Sequence, residues 1–339
     1  AKDRPLVLFL GAGASMSSGM PSATQCIWEW KRNIFLTNNP GLEPQFSELS
    51  LPSVRQRIQE WLDSRRRYPA LDSPDEYGAY IEECFARAQD RRIYFEQWVK
   101  RCAPHVGYQL LAELAKQGLI SSVWTTNFDG LSARAAVMAG LTSIEIGIDC
   151  QERVYRTPGN GELACVSLHG DYRYDPLMNT LPELAEQEVT LRKALVTALR
   201  SSPVLVSGYS GRDKSVMAAF AEARGDMPET HRPPLFWTQY GDAEPPLPVT
   251  ELLKAPSNTE PSSFFVPGAT FDDLMRRLAL HVSSGDSRER VETILMKFRT
   301  QPVNQRAAFS LPSLPVTGLV KSNAFPLTPP RELLEFDQT

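Results

Sequence analysis

The stretch Leu6 to Pro21, LVLFLGAGASMSSGMP, constrains the fold more than any other part of the chain. Five apolar residues, Leu6 to Leu10, have the length and composition of a buried parallel strand. They run without a spacer into Gly11, Ala12, Gly13, Ala14 and Ser15. Glycine lets backbone N–H groups approach an anion closely, and a helix that follows turns its positive end toward it. The stretch reads as a phosphate-binding crevice, with a plain strand turn as the alternative. Met16 stands where the third glycine of GxGxxG would be, and the GK[ST] of a nucleoside-triphosphate loop is missing. Gly19 and Pro21 come later, so the loop is longer than in an ordinary dehydrogenase.

Strand and helix signals alternate after this point. Ala23 to Phe35 carries Ile27, Trp30 and Ile34 at helical spacing. From Leu36 to about Cys102 the chain is polar and helix-rich in residue choice, with helical character at Val54 to Arg67 and Asp75 to Gln89, and about 22 to 118 reads as a helical insertion beside a nucleotide sheet. Gly118 ends a helix opened by His105. Further strands are expected at Leu119 to Thr126, Thr142 to Ile148, Leu163 to Leu168, Val204 to Ser207, Leu235 to Tyr240 and Ser263 to Val266. Leu131 to Ala139 and Phe271 to Val282 read as helices. Leu184, Leu191, Leu195 and Leu199 mark a crossover helix, and Pro245 to Pro261 a connecting loop. The expected class is α/β, a doubly wound, Rossmann-like parallel sheet. A length of 339 residues suits about two units: a domain over 1–285, then a helix and proline-rich linker over 286–339.

Composition excludes several classes. No run approaches the ~20 apolar residues of a membrane helix, and AKDRP does not open a secretory signal. A net charge of -4 gives no global basic field for nucleic acid, and Arg65 to Arg67 reads as a solvated helix face. The five cysteines are scattered singly, without the CxxC pairs of a thiolate zinc site or a disulfide framework. No metal and a cytoplasmic location are the expectations.

Four strand ends carry chemistry: the glycine loop, Asn127 and Asp129, His169-Gly170, and Gly208-Tyr209-Ser210. In a parallel sheet these groups converge on one edge, where ligands bind. His169 is the candidate general base, against a satisfied core histidine; His105, His231 and His281 read as structural or solvated. Asn127 supplies an amide able to donate and accept, and Asp129 a fixed carboxylate. Both also fit a helix N-cap and first-turn charge. The set fits cleavage of the nicotinamide–ribose bond of NAD better than hydride transfer. The ribose-binding acid of a dehydrogenase is absent, since Glu29 lies within an expected helix.

These motifs resemble the sirtuin (silent information regulator) superfamily. GAGAS-x3-GMP at Gly11 to Pro21 is similar to its GAGxSxxSGIP loop, TTNFD at Thr125 to Asp129 to TQNID, and LHG at Leu168 to Gly170 to its catalytic His-Gly. GYSGRD at Gly208 to Asp213 is similar to the GYSxxD of bacterial sirtuin-like defence proteins. The resemblance implies that His169 is the base, that Asn127 positions water and ribose, and that Asp129 holds the carboxamide. Gly11, Ala12, Gly13, Ser15, Thr126, Gly208, Ser210 and Asp213 are its implied cofactor-binding positions, with NAD as substrate.

Departures from that family are informative. Ser22-Ala23-Thr24 stands where deacetylating sirtuins have Asp-Phe-Arg, and neither the zinc module's cysteine pairs nor the peptide-binding strand motif is recognisable. The expectation is therefore the branch that hydrolyses NAD during phage or plasmid invasion. Leu314 to Phe336 resembles the entry to an APAZ module, which docks a short prokaryotic Argonaute. That implies an Argonaute partner carrying guide and target nucleic acid, and a homo-oligomer on activation. The alternatives are an NAD-dependent protein deacetylase or ADP-ribosyltransferase, and a non-catalytic NAD or ADP-ribose sensor.

Overall fold

The computed structural model describes residues 4–171, 189–225, 227–241, 244–254 and 262–299. Leu184 and the proline-rich segment from 300 onward, including Leu314 to Phe336, lie outside the described residues.

Seven strands form one parallel sheet: β1 (Leu6–Leu10), β2 (Ile120–Thr125), β3 (Thr142–Ile146), β4 (Glu162–Ser167), β5 (Val204–Ser207), β6 (Leu235–Gln239) and β7 (Ser263–Pro267). Their order is β3-β4-β2-β1-β5-β6-β7. Alternation along β1 sends Leu8 and Leu10 to one core and Val7 and Phe9 to the other, as a strand covered on both faces requires. The expected doubly wound sheet is what the chain forms.

The described helices are α1 (Ala23–Asn38), α2 (Pro52–Ser64), α3 (Glu76–Cys84), α4 (Ala88–Val99), α5 (Val106–Lys116), α6 (Leu131–Met138), α7 (Val189–Ser201), α8 (Lys214–Gly225), α9 (Leu247–Leu253), α10 (Phe271–Val282) and α11 (Gly285–Arg299). Helices α5, α6 and α10 pack on the Leu8 face, and α7 and α8 on the Phe9 face. The connection leaving β1 therefore runs over one face and that leaving β5 over the other. Where neighbouring strands send their connections to opposite faces, a crevice opens at their carboxyl ends. Helix α11 joins the same body, burying Val291 and pairing Arg290 with Glu113 at 2.8 Å.

Two local expectations need correction. Asp75 to Gln89 is two helices, because Phe85 leaves helical geometry (φ -139°, ψ 77°) and packs its ring at a tilt against Tyr94 while Arg91 binds the carbonyls of Phe85 and Ala86. Pro245 to Pro261 is not wholly loop: α9 lies within it, since Pro248 occupies the first turn, where a missing N–H costs nothing, and Val249 is fully buried.

The helices before α5 have their own core, built from Trp30, Phe35, Phe46, Ile58, Leu62 and Tyr80. At its centre Lys31 is fully buried, ion-paired with Glu76 and donating to Gln59 Oε1 at 2.8 Å. Glu76 Oε2 also accepts from the backbone N–H of Asp72 at 3.0 Å, so both charges are satisfied. Removing one member strands the other in a dry core. Glu76→Gln is expected to cost about 3–5 kcal/mol in urea unfolding, with Lys31→Met/Glu76→Leu recovering most of it.

Candidate functional site

Strand register sets the site. Leu10 lies opposite Thr125 on one side and Ser207 on the other, and Thr125 opposite Ser167. The residues that follow, Gly11, Thr126, Leu168 and Gly208, thus leave the sheet along one edge. A cavity of about 740 Å³ opens there, within the roughly 300–1,000 Å³ of small-molecule and cofactor sites. Its lining includes Ala12, Gly13, Ser15, Thr126, Asn127, Asp129, His169, Gly208, Ser210 and Asp213. Gly11, expected among them, is not a lining residue. A side chain at Gly11 would meet the carbonyl of Gly208 and Cα of Tyr209 at 2.5 Å, so this glycine lets two loops pack behind the cavity.

The glycine loop is a short 3₁₀ helix, Ala12–Ser18, tied to the β5 loop by Gly13 N–H donating to the Gly208 carbonyl at 2.9 Å. Gly208 has φ +67°, and a Cβ there would sit 2.2 Å from the backbone nitrogen of Ala14. Gly208→Ala is expected to lower stability by more than the roughly 1–2 kcal/mol of left-handed strain alone, measured by chemical denaturation.

The β2 end carries a closed polar network. Ser15 Oγ donates to Asp129 Oδ2 at 2.6 Å and lies 2.8 Å from the Tyr108 hydroxyl. Asn127 Nδ2 donates to the Gly11 carbonyl at 3.0 Å and to Ser15 Oγ at 3.1 Å. Both amide hydrogens are therefore used, and the group Asn127 keeps for a ligand is its carbonyl oxygen, an acceptor. Asp129 Oδ1 accepts from the backbone N–H of Leu131 at 2.9 Å, so this carboxylate also caps α6. The cap weighed from sequence is present at Asp129, whose side chain also lines the cavity. Burial pushes the Asp129 carboxyl above its usual range, against the hydrogen bond from Ser15 that lowers it.

His169 and Asp213 face each other across the β4 and β5 ends, Nε2 to Oδ2 at 2.8 Å, both about seven-eighths buried. The contact lies off the hydrogen-bond line, and neither atom has another hydrogen-bond partner. Asp213 Oδ1 is fixed independently, accepting from Ser215 N at 2.8 Å, Ser215 Oγ at 2.7 Å and Val216 N at 3.2 Å at the start of α8. Burial alone would raise the Asp213 carboxyl, but His169 and these donors outweigh it and bring it to about 2. This value lies below that of the unfolded chain. Asp213 therefore stabilises the fold above the usual carboxylate range, and that contribution is lost as pH falls toward about 2. An ionised Asp213 favours the proton on Nε2 and leaves Nδ1 of His169 as the basic nitrogen.

The helical insertion supplies the far wall. Cys26, Tyr77 and Phe95 line it, and Lys214 meets Asp75 at 3.1 Å at an exposed rim, an ion pair of small energetic weight. Ser22, Ala23 and Thr24 also line the cavity, and Ser22 caps α1 by accepting from Gln25 N. Among the described residues, no group of three or more His, Cys, Asp or Glu is arranged to hold a metal ion. No described helix is long and apolar enough to cross a membrane.

Sequence reasoning missed Tyr108, whose apolar helical surroundings hid its hydroxyl, and gave Asp213 only a cofactor-binding position, missing its pairing with His169, which is distant in the chain. A family model described as "SIR2-like domain" matches residues 121–260, less than half of the chain. The match takes in Asn127, Asp129, His169 and Asp213 and begins after the glycine loop. Domains of this kind bind NAD and form a family of NAD-dependent enzymes. A comparison with curated proteins finds no match.

Proposed function

We propose that this chain hydrolyses NAD to nicotinamide and ADP-ribose. The observation that carries the reading is the meeting, in one cavity at the strand ends, of a glycine loop, an amide held with its acceptor free, a buried carboxylate and a His–Asp pair. Ala12 and Gly13, small residues lining the cavity, let the pyrophosphate approach the loop closely. The Asn127 carbonyl fits a ribose hydroxyl or the attacking water, and Asp129 lies where its remaining lone pairs fit the carboxamide NH₂. The nicotinamide–ribose bond breaks with its electron pair leaving on nicotinamide. Water adds to the cationic sugar carbon, and its proton passes to Nδ1 of His169.

Hydride transfer has less support. Glu29, the nearest acid after the glycine loop, accepts from the Tyr94 hydroxyl at 3.0 Å inside the insertion. Deacetylation is disfavoured by the polar, arginine-free wall at Ser22 to Thr24.

The resemblance supplies the setting we propose. Residues 1–285, with α11 packed onto them, form the catalytic domain, with the insertion at about 22–118. The segment 286–339 leads into an APAZ-like module that docks a short prokaryotic Argonaute, and guide and target nucleic acid switch on NAD depletion, through self-association, against phages or plasmids.

The test is product analysis with NAD, with and without an acetylated peptide, and with and without that partner loaded with guide and target. Nicotinamide and ADP-ribose in equal amounts support hydrolysis. O-acetyl-ADP-ribose would move the assignment to a deacetylase, and binding without turnover under every condition to a sensor.

A further inference from the structure

Tyr108 belongs to none of the strand-end motifs, yet its side chain ends inside the polar network. It sits in the first turn of α5, 1% exposed, with its ring edge-on to Phe271 at 5.1 Å. Ser15 has a single proton, which goes to Asp129. At the 2.8 Å contact Ser15 therefore accepts and the phenol donates. Ser15 Oγ then has one donor and two acceptor positions, all filled, by Asp129, Tyr108 and Asn127. Burial holds the Tyr108 hydroxyl well above its ordinary titration range, so it remains a donor.

The backbone beneath Tyr108 is clamped as well. Asp272, in the first turn of α10, accepts from Gly107 N–H at 2.9 Å and contacts His105 Nδ1 at 2.5 Å. A Cβ on Gly107 would lie 2.4 Å from Asp272 Oδ1 and 2.8 Å from the Phe271 ring, so α5 and α10 meet with no slack.

We propose that Tyr108 is a positioning residue of the NAD site: by donating to Ser15 it keeps that hydroxyl turned to Asp129 and the Asn127 carbonyl turned to the nicotinamide-riboside half of the ligand. The proposal rests on the NAD reading. Without the phenol proton, Ser15 has an open acceptor position and is free to rotate. Asn127, which also meets the phenol oxygen, then loses the hydroxyl partners of its second amide hydrogen. The phosphate loop meets the phenol through the Ser15 side chain, while its backbone stays tied to the β5 loop by Gly13 N–H and the Gly208 carbonyl and keeps its geometry.

The test uses Tyr108→Phe, which keeps the ring against Phe271, in a His169→Ala background that prevents turnover. Binding of NAD and of ADP, which lacks the nicotinamide riboside, is measured by calorimetry. NAD affinity is expected to fall about tenfold, the scale of one lost hydrogen bond in a buried charged network, with ADP affinity unchanged. Adding Ser15→Ala to Tyr108→Phe is expected to weaken NAD binding no further than Ser15→Ala alone. Unchanged NAD affinity in Tyr108→Phe, or equal losses for NAD and ADP, would overturn the proposal. A parent protein that binds neither nucleotide overturns the NAD reading itself, a result visible before the tyrosine is altered.

Discussion

Replacing His169 with alanine is expected to lower NAD cleavage about 10³-fold while NAD affinity stays within a few-fold. A positioned general base contributes about 10²–10⁴ in rate, and no second imidazole lines the cavity to replace it. Asp213, in contact with His169, is expected to govern the same step at one remove. In Asp213→Asn, Oδ1 can go on capping α8, so the helix start survives. The new amide NH₂ would face Nε2 of His169, however, favouring the tautomer with the proton on Nδ1 and removing the base. A loss of at least about tenfold in kcat, with KM little changed, is expected. Initial rates of nicotinamide release for both variants give the check. A His169→Ala protein as fast as wild type would remove the histidine from the mechanism.

Asn127→Asp is expected to be equally damaging, for a different reason. It replaces the two hydrogens donated to Gly11 and Ser15 with lone pairs and puts a second carboxylate beside Asp129, which is only 4% exposed. Two carboxylates would then share the single Ser15 proton. Repulsion and burial both raise the new group's pKa. A raised folded-state value means that destabilisation is absent at low pH and appears as pH rises through the usual carboxylate range. The expected cost near neutral pH is about 2–4 kcal/mol, with cleavage reduced at least about 10²-fold. Asn127→Ala, which adds no charge, should lose activity comparably but less stability. Urea unfolding at about pH 4 and pH 8 separates the two: a pH-independent cost for Asn127→Asp would show that the added charge beside Asp129 is not its cause.

The sheet was legible because its strands are short apolar runs ended by Gly, Asn or His, and a strand buried on both faces needs little else. Leu6–Leu10 and Val204–Ser207 are the clearest cases. The edge that carries the cavity followed from the same reading, since parallel strands place their ends together. The contacts made within that edge could not be read in advance. Gly11 belongs to the motif by its letter, yet its geometry serves loop packing. Nothing in the sequence pairs Lys31 with Glu76, and only the packing of α1, α2 and α3 shows them buried together. The Asp213–His169 pair joins residues far apart in sequence, which register aligns and composition does not reveal. Short helices are hidden where prolines dominate, as at Leu247–Leu253.

The most direct measurement is NAD cleavage in H₂¹⁸O by the protein, alone and with the guide- and target-loaded partner, with His169→Ala in parallel. The account predicts nicotinamide and ADP-ribose in equal amounts, one ¹⁸O atom on the anomeric carbon of each ADP-ribose, and neither product from the variant. Nicotinamide released with the sugar transferred to another acceptor, or labelled ADP-ribose formed undiminished by His169→Ala, would contradict it.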